Sequence, residues 1–304
     1  MSTSNNNSTI ESTFFLTNTI KFWSFLIVLI PSIICSIFTL YHFLFDRTLR
    51  NTLHNHVIIV VLIVGFLGQI TMYPWMLYYY RVEGAWERSF EFCLIWAFID
   101  WMFYVFQTIV FAWGAIERHI LIFHDRWMAT KNKRLCFHYL PLISLTFYCI
   151  FFHIVIDFFL SCTNTLRNDY MICAHFCIYY DPIYSVWETV AHQFIPCAIV
   201  LIFSIALLVR IVWQKFRIRH LVQWRKHRKM PVQLLAIAFV YLLFFFPYIC
   251  LNFMYQCGYP KIGKANIRDF LGYLTYFQLL FLPFPCMLTL PRLSNRMKYI
   301  IVCK

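Results

Sequence analysis

The chain has 304 residues, of which 61% are hydrophobic, 21% aromatic and only 13% charged, with a mean hydropathy of +0.65. A soluble globular domain carries roughly 25% charged residues, so the composition excludes that class and indicates a polytopic membrane protein. The formal charge of +13 does not imply nucleic-acid binding, because the basic residues sit at the ends of apolar runs, where they mark one membrane face.

Residues 1–19 are rich in Ser, Thr and Asn and lack a basic stretch before an apolar one, so they read as a disordered tail rather than a signal peptide. The sequons Asn6-Asn7-Ser8 and Asn7-Ser8-Thr9 make Asn6 and Asn7 glycosylation candidates if the tail is luminal. Residues 20–290 hold apolar runs near 22–45, 55–80, 90–119, 135–160, 187–213, 231–256 and 267–290, each long enough to cross a hydrocarbon core of about 30 Å. The predicted fold is an all-α bundle of seven transmembrane helices.

Placing the amino terminus outside puts most of the 26 Lys and Arg residues on the cytoplasmic side. Arg47, Arg50, Arg118, Lys131, Arg134, Arg210 and the basic run through 215–229 lie there, while Glu83, Glu87, Glu91, Asp181 and Asp269 fall on the opposite face. Pro31, Pro74, Pro141, Pro196, Pro247, Pro283 and Pro285 predict kinks whose released carbonyls must face protein or water. Residues 291–304 are predicted to form a short membrane-parallel helix and tail, with Cys303 a palmitoylation candidate. Most of the 12 cysteines fall inside apolar runs, as small buried groups.

The third span carries the chemistry. Cys93 opens it, Asp100 lies about two turns further on, and Glu117-Arg118-His119 closes it. An ionisable residue within a span is functional by default. No metal-ligand cluster, nucleotide loop or nucleophile–base–acid set occurs at telling spacing, so neither catalysis, a metal nor a cofactor is predicted.

These features resemble the rhodopsin-like, or class A, G-protein-coupled receptors. Glu117-Arg118-His119 stands for that family's Asp/Glu-Arg-Tyr, and Cys93 precedes Arg118 by the family separation, with Trp86 before it in the first outer loop. Asn55, Pro74 and Pro196 match family positions in helices two and five. Phe245-Phe246-Pro247 takes the place of Trp-x-Pro, and Phe284-Pro285-Cys286-Met287-Leu288 that of Asn-Pro-x-x-Tyr. The resemblance covers residues 20–302 and has clear departures. Gly65 replaces the buried aspartate of the family's sodium site, with Gln107 near its partner position. Ser204 and Leu288 replace two tyrosines that hold the active state, and no fourth-helix tryptophan is evident.

The resemblance implies a plasma-membrane receptor that converts binding of an extracellular ligand into activation of a heterotrimeric G protein, among membrane lipids and without nucleic acid. It places Asp100, Tyr104, Glu188, His192, Tyr248, Asn252 and Gln278 around a ligand cavity, and assigns switching to Glu117, Arg118, His119, Phe245, Pro247 and Pro285. Arg118 is expected to pair with Glu117 at rest. Two carboxylates near the cavity and an acidic rim favour a cationic amine or a basic peptide. Gln278 stands where an opsin needs its retinal-linking lysine, so Schiff-base chemistry is excluded. Cys93 is expected to bond Cys177 first, or Cys173, with Cys162 also available; the remaining two could pair with each other, or one of them with Cys257.

Blander alternatives stay open at this stage. Asp100 could serve only an internal hydrogen bond to Gln278 or Tyr248, and the other lining residues could be bundle packing. Two other functions compete with the receptor. A transporter would need an internal repeat and charges near mid-membrane, and neither is evident. A receptor-like bundle that does not signal is compatible with the losses at Ser204, Phe284 and Leu288.

Overall fold

The computed structural model describes residues 16–123, 130–159, 162–166, 170–217, 229–259 and 265–287. Among the described residues seven helices are long and apolar enough to cross a membrane: α1 (Asn18–Phe45), α2 (Leu53–Arg81), α3 (Phe90–Phe123), α4 (Lys131–Phe159), α5 (Pro182–Trp213), α6 (Lys229–Gln256) and α7 (Asn266–Met287). A two-stranded antiparallel ribbon, β1 (Thr165–Leu166) with β2 (Ala174–His175), lies in the connection from α4 to α5. The predicted helix and tail over 291–304 with Cys303, and likewise Leu288, Asn6 and Asn7, lie outside the described residues.

Capping sets the first boundary and that of α5. Thr17 accepts from the Ile20 amide to start α1, and Asp181 accepts from the Tyr184 amide at 2.8 Å with Pro182 at the first helical position. The fifth helix therefore begins at Pro182, ahead of the apolar run that marks it in the sequence. Helix α3 is the central element, packing on α2, α4 and α5, while α1 packs on α2 and α7, and α6 on α5 and α7. On α1, Ile27, Ile30, Ile34, Ile37 and Tyr41 are exposed in alternating steps of three and four. Such a stripe would be an association surface in water and faces acyl chains in a bilayer.

The break at Pro283 is satisfied as its chemistry requires. Pro283 has no amide hydrogen for the carbonyl four residues back, and the α-helix breaks at Leu282. The released Leu279 carbonyl accepts from Gln69 Nε2 at 3.1 Å, and the Leu280 carbonyl accepts from Ser32 Oγ at 2.7 Å. Gln69 also donates to Ser32 and accepts from Ser36, both at 2.9 Å, which ties α1, α2 and α7 together at mid-bundle. Asn55 holds the α1–α2 connection by donating to the Leu49 carbonyl at 2.8 Å.

Two short π-helical turns interrupt the bundle, Leu135–Tyr139 at the start of α4 and Thr189–Phe194 in α5. Each carries a buried histidine, His138 and His192. A π turn inserts an extra residue and re-aims the side chains beside it.

Candidate functional site

A cavity of about 620 Å³ opens at the end of the bundle where α1, α3 and α7 begin. Lys21, Arg268 and Asp269 stand at its mouth, and Gln107, Gln278 and Leu279 are among its deepest lining residues. Asp100 is on the wall. Its carboxylate accepts from the Tyr276 hydroxyl, at 3.1 Å to Oδ1 and 3.2 Å to Oδ2. Rings of Tyr80, Trp101, Tyr104, Phe245 and Tyr248 complete the lining. A carboxylate among aromatic faces suits a cation, which gains from both the charge and the ring quadrupoles.

The lid over this cavity is the α4–α5 connection, which contributes Tyr170, Met171, Ile172, Ala174 and Phe176 to the lining. Disulfides join Cys93 to Cys173 and Cys162 to Cys177. The first choice of Cys177 for Cys93 is thereby corrected. The ribbon lays β2 against α3, which brings Cys173, next to that strand, to the start of the third helix. Cys257 is a free thiol. Arg88, unnoticed in the sequence, clamps the lid by donating to the Met171 carbonyl at 2.6 Å and the Tyr170 carbonyl at 2.9 Å. Its guanidinium sits over the Tyr79, Trp86 and Trp96 rings, and burial pulls it below its ordinary pKa.

Asp100, Tyr104, Phe245, Tyr248 and Gln278 all line the cavity. Tyr104 also donates to Gln193 Oε1 at 3.3 Å and stacks on Phe245. The structure brings Glu188 and His192 together elsewhere. His192 Nδ1 bonds the Glu188 carboxylate, its Nε2 meets the Tyr148 hydroxyl at 2.7 Å, and both residues are buried between α4 and α5. His153 and Asp157, 3.4 Å apart, are a second buried imidazole–carboxylate pair, on α4. Asn252 is partly buried on α6 and does not line the cavity, and Pro247 lies within α6. Among the described residues no three His, Cys, Asp or Glu side chains are placed to hold a metal ion.

At the opposite, basic end, Arg118 and His119 line a smaller cavity of about 60 Å³ with Val57, Ser204, Leu207 and Cys286. Glu117 has a partner the sequence reading missed. Its Oε1 lies 2.7 Å from His138 Nδ1, His138 Nε2 lies 2.8 Å from His56 Nδ1, and His56 Nε2 lies 2.8 Å from the Arg50 carbonyl. Glu117 and His138 are fully buried, and the relay joins α3, α4, α2 and the first connecting turn. The available signal was a histidine within an apolar span, which needs a polar partner.

The architecture has a known counterpart. A crystal structure of squid rhodopsin superposes with a TM-score of 0.66, over 95% of this chain and 88% of that one, at 15% sequence identity. This is a rhodopsin-like seven-helix membrane fold. At that identity the likeness concerns the fold alone. No protein-family model matches the sequence, and no curated protein matches it significantly. Within the rhodopsin-like fold, the cavity occupies the bundle end that carries the amino terminus, and the Glu117–His138–His56 relay the basic end.

Proposed function

We propose that the protein is a plasma-membrane receptor that converts binding of an extracellular cationic ligand, an amine or a basic peptide, into activation of a heterotrimeric G protein. The amino terminus faces outward in this reading, as the charge distribution favours. The observation that carries it is Asp100 on the wall of the large, aromatic-lined cavity beneath a disulfide-tethered lid. Among the described residues its carboxylate accepts from Tyr276, which leaves lone pairs for an incoming cation. Arg118, Glu117 and His119 then form the inner element that rearranges when α6 moves, and the small cavity at Arg118 lies where such a movement would open the bundle.

The test is expression with a promiscuous G-protein reporter, challenged with amine and basic-peptide panels. Asp100→Asn should reduce potency by about one hundred-fold or more, in line with loss of a buried charge-assisted bond of about 3 kcal/mol. Arg118→Ala should abolish coupling while sparing ligand binding. A full set of responses in Asp100→Asn would refute the cationic ligand, and intracellular accumulation of ligand without coupling would point to transport.

A further inference from the structure

We propose that Gln107 and Gln278 at the floor of the cavity form a second recognition point, so that the ligand is a monocation bearing a neutral amide or hydroxyl group at a fixed distance from its charge. The inference rests on Asp100 as the cation site and adds what lies beneath it.

Both glutamines are 1% exposed and both line the cavity. Gln107 Nε2 and both polar atoms of the Gln278 amide have no hydrogen-bond partner among the described residues. Buried polar groups are nearly always paired, so an exception calls for an explanation. Gln69 supplies the contrast within the same bundle, because its amide makes three bonds that close the α7 break. Those three floor amide atoms bond nothing among the described residues. Both residues line the large cavity, where a ligand group reaching the floor would give these amides partners.

Gly65 leaves room beside Gln107. A Cβ at Gly65 would stand 3.7 Å from Gln107 Nε2 and 3.5 Å from Leu279 and Leu282 side-chain carbons. Any larger side chain would therefore fill the region next to the amide. The floor also carries no formal charge, and Met72, Phe103 and Leu279 are apolar neighbours in the lining. A carboxylate or second ammonium placed there would be desolvated without a counter-charge, whereas an amide or hydroxyl matches groups that both donate and accept.

The helix sets the separation. Asp100 and Gln107 are seven residues apart on α3, about 10.5 Å along the axis at 1.5 Å per residue. Helical side chains lean toward the amino-terminal end, and the longer glutamine leans further, which brings the polar atoms to roughly 6–9 Å. A chain of about six carbons between charge and polar group fits that gap.

The experiment uses the full-length protein in detergent, with binding read from tryptophan fluorescence and thermal stabilisation. The probes are hexylamine, hexanamide, 6-aminohexanamide and 6-aminohexanoate. In the parent, 6-aminohexanamide should bind at least ten-fold tighter than hexylamine, and 6-aminohexanoate no tighter than hexylamine. In Gln107→Leu and Gln278→Leu that advantage should vanish while hexylamine affinity is kept, and the unliganded melting temperature should not fall. Equal affinities of hexylamine and 6-aminohexanamide in the parent, with both lost in Asp100→Asn, would overturn the floor site and leave the cation site standing. Failure of every amine to bind, together with an inert Asp100→Asn, would overturn the cation site and this inference with it. The comparison of probes in the parent needs no variant to fold.

Discussion

The relay at the basic end makes a sharp prediction, because its hydrogens can be counted. Three hydrogen bonds run in series from Glu117 through His138 and His56 to the Arg50 carbonyl. Each bond needs one hydrogen, and a carbonyl can only accept, so His56 Nε2 carries one. Two neutral imidazoles bring two hydrogens to three bonds. The third sits on the Glu117 carboxyl or makes one ring an imidazolium, so the trio as a whole is neutral. Glu117→Gln restores the count without that added proton, since the amide donates to His138 Nδ1, His138 to His56, and His56 to the carbonyl. It should change stability by less than about 1 kcal/mol, as a swap that keeps a buried polar group paired. His138→Leu instead leaves the fully buried Glu117 carboxyl group without its imidazole partner, at a cost of about 3 kcal/mol. Thermal unfolding in detergent or nanodiscs reads the difference as a fall of about 6 °C or more for His138→Leu and almost none for Glu117→Gln. Equal losses in the two variants, or an unaffected His138→Leu, would refute the relay.

Three further outcomes follow from the packing. Gln69→Leu should destabilise the bundle by about 1–3 kcal/mol in thermal unfolding, because the Leu279 carbonyl and two serines lose their partner together. Removing the Cys93–Cys173 bridge should cost about 1.5 kcal/mol more than removing Cys162–Cys177, from the logarithm of their sequence separations of 80 and 15; chemical unfolding of Cys93→Ser/Cys173→Ser against Cys162→Ser/Cys177→Ser measures it. Arg88→Lys keeps the charge and loses the fork that holds two carbonyls, so limited proteolysis should cut the lid near Tyr170–Met171 several-fold faster.

The bundle was legible because each crossing writes a long apolar run, and no soluble architecture tolerates seven of them. The ends were less so, since capping rather than hydropathy starts α5 at Pro182. The partner of Cys93 was obscured by a two-residue ribbon too short to leave a periodic signal, yet that ribbon decides which cysteine reaches α3. Glu188 and His192 were read onto a regular helix. The π turn over Thr189–Phe194 adds a residue, which rotates the segment before it by roughly 100° relative to the rest of α5, and the pair meets Tyr148 of α4. His138 was visible only as a polar interruption of the fourth span, and its partner lies on another helix.

Polar residues inside this bundle divide by whether the protein itself satisfies them, and the division separates structure from recognition. Ser32 and Gln69 are spent on carbonyls at the Pro283 break and Ser36 on Gln69, so removing any of them damages the fold. Glu117 is spent on His138, which fixes α3 against α4 at the basic end. Between those knots, Gln107 and Gln278 keep amide atoms that nothing among the described residues engages, at the floor of the large cavity. Hydrophobic residues of the same size would pack there at no polar cost, so folding alone gives no reason for the amides. On the proposed reading a group from outside the chain supplies that reason, with Asp100 two turns above as its counter-charge.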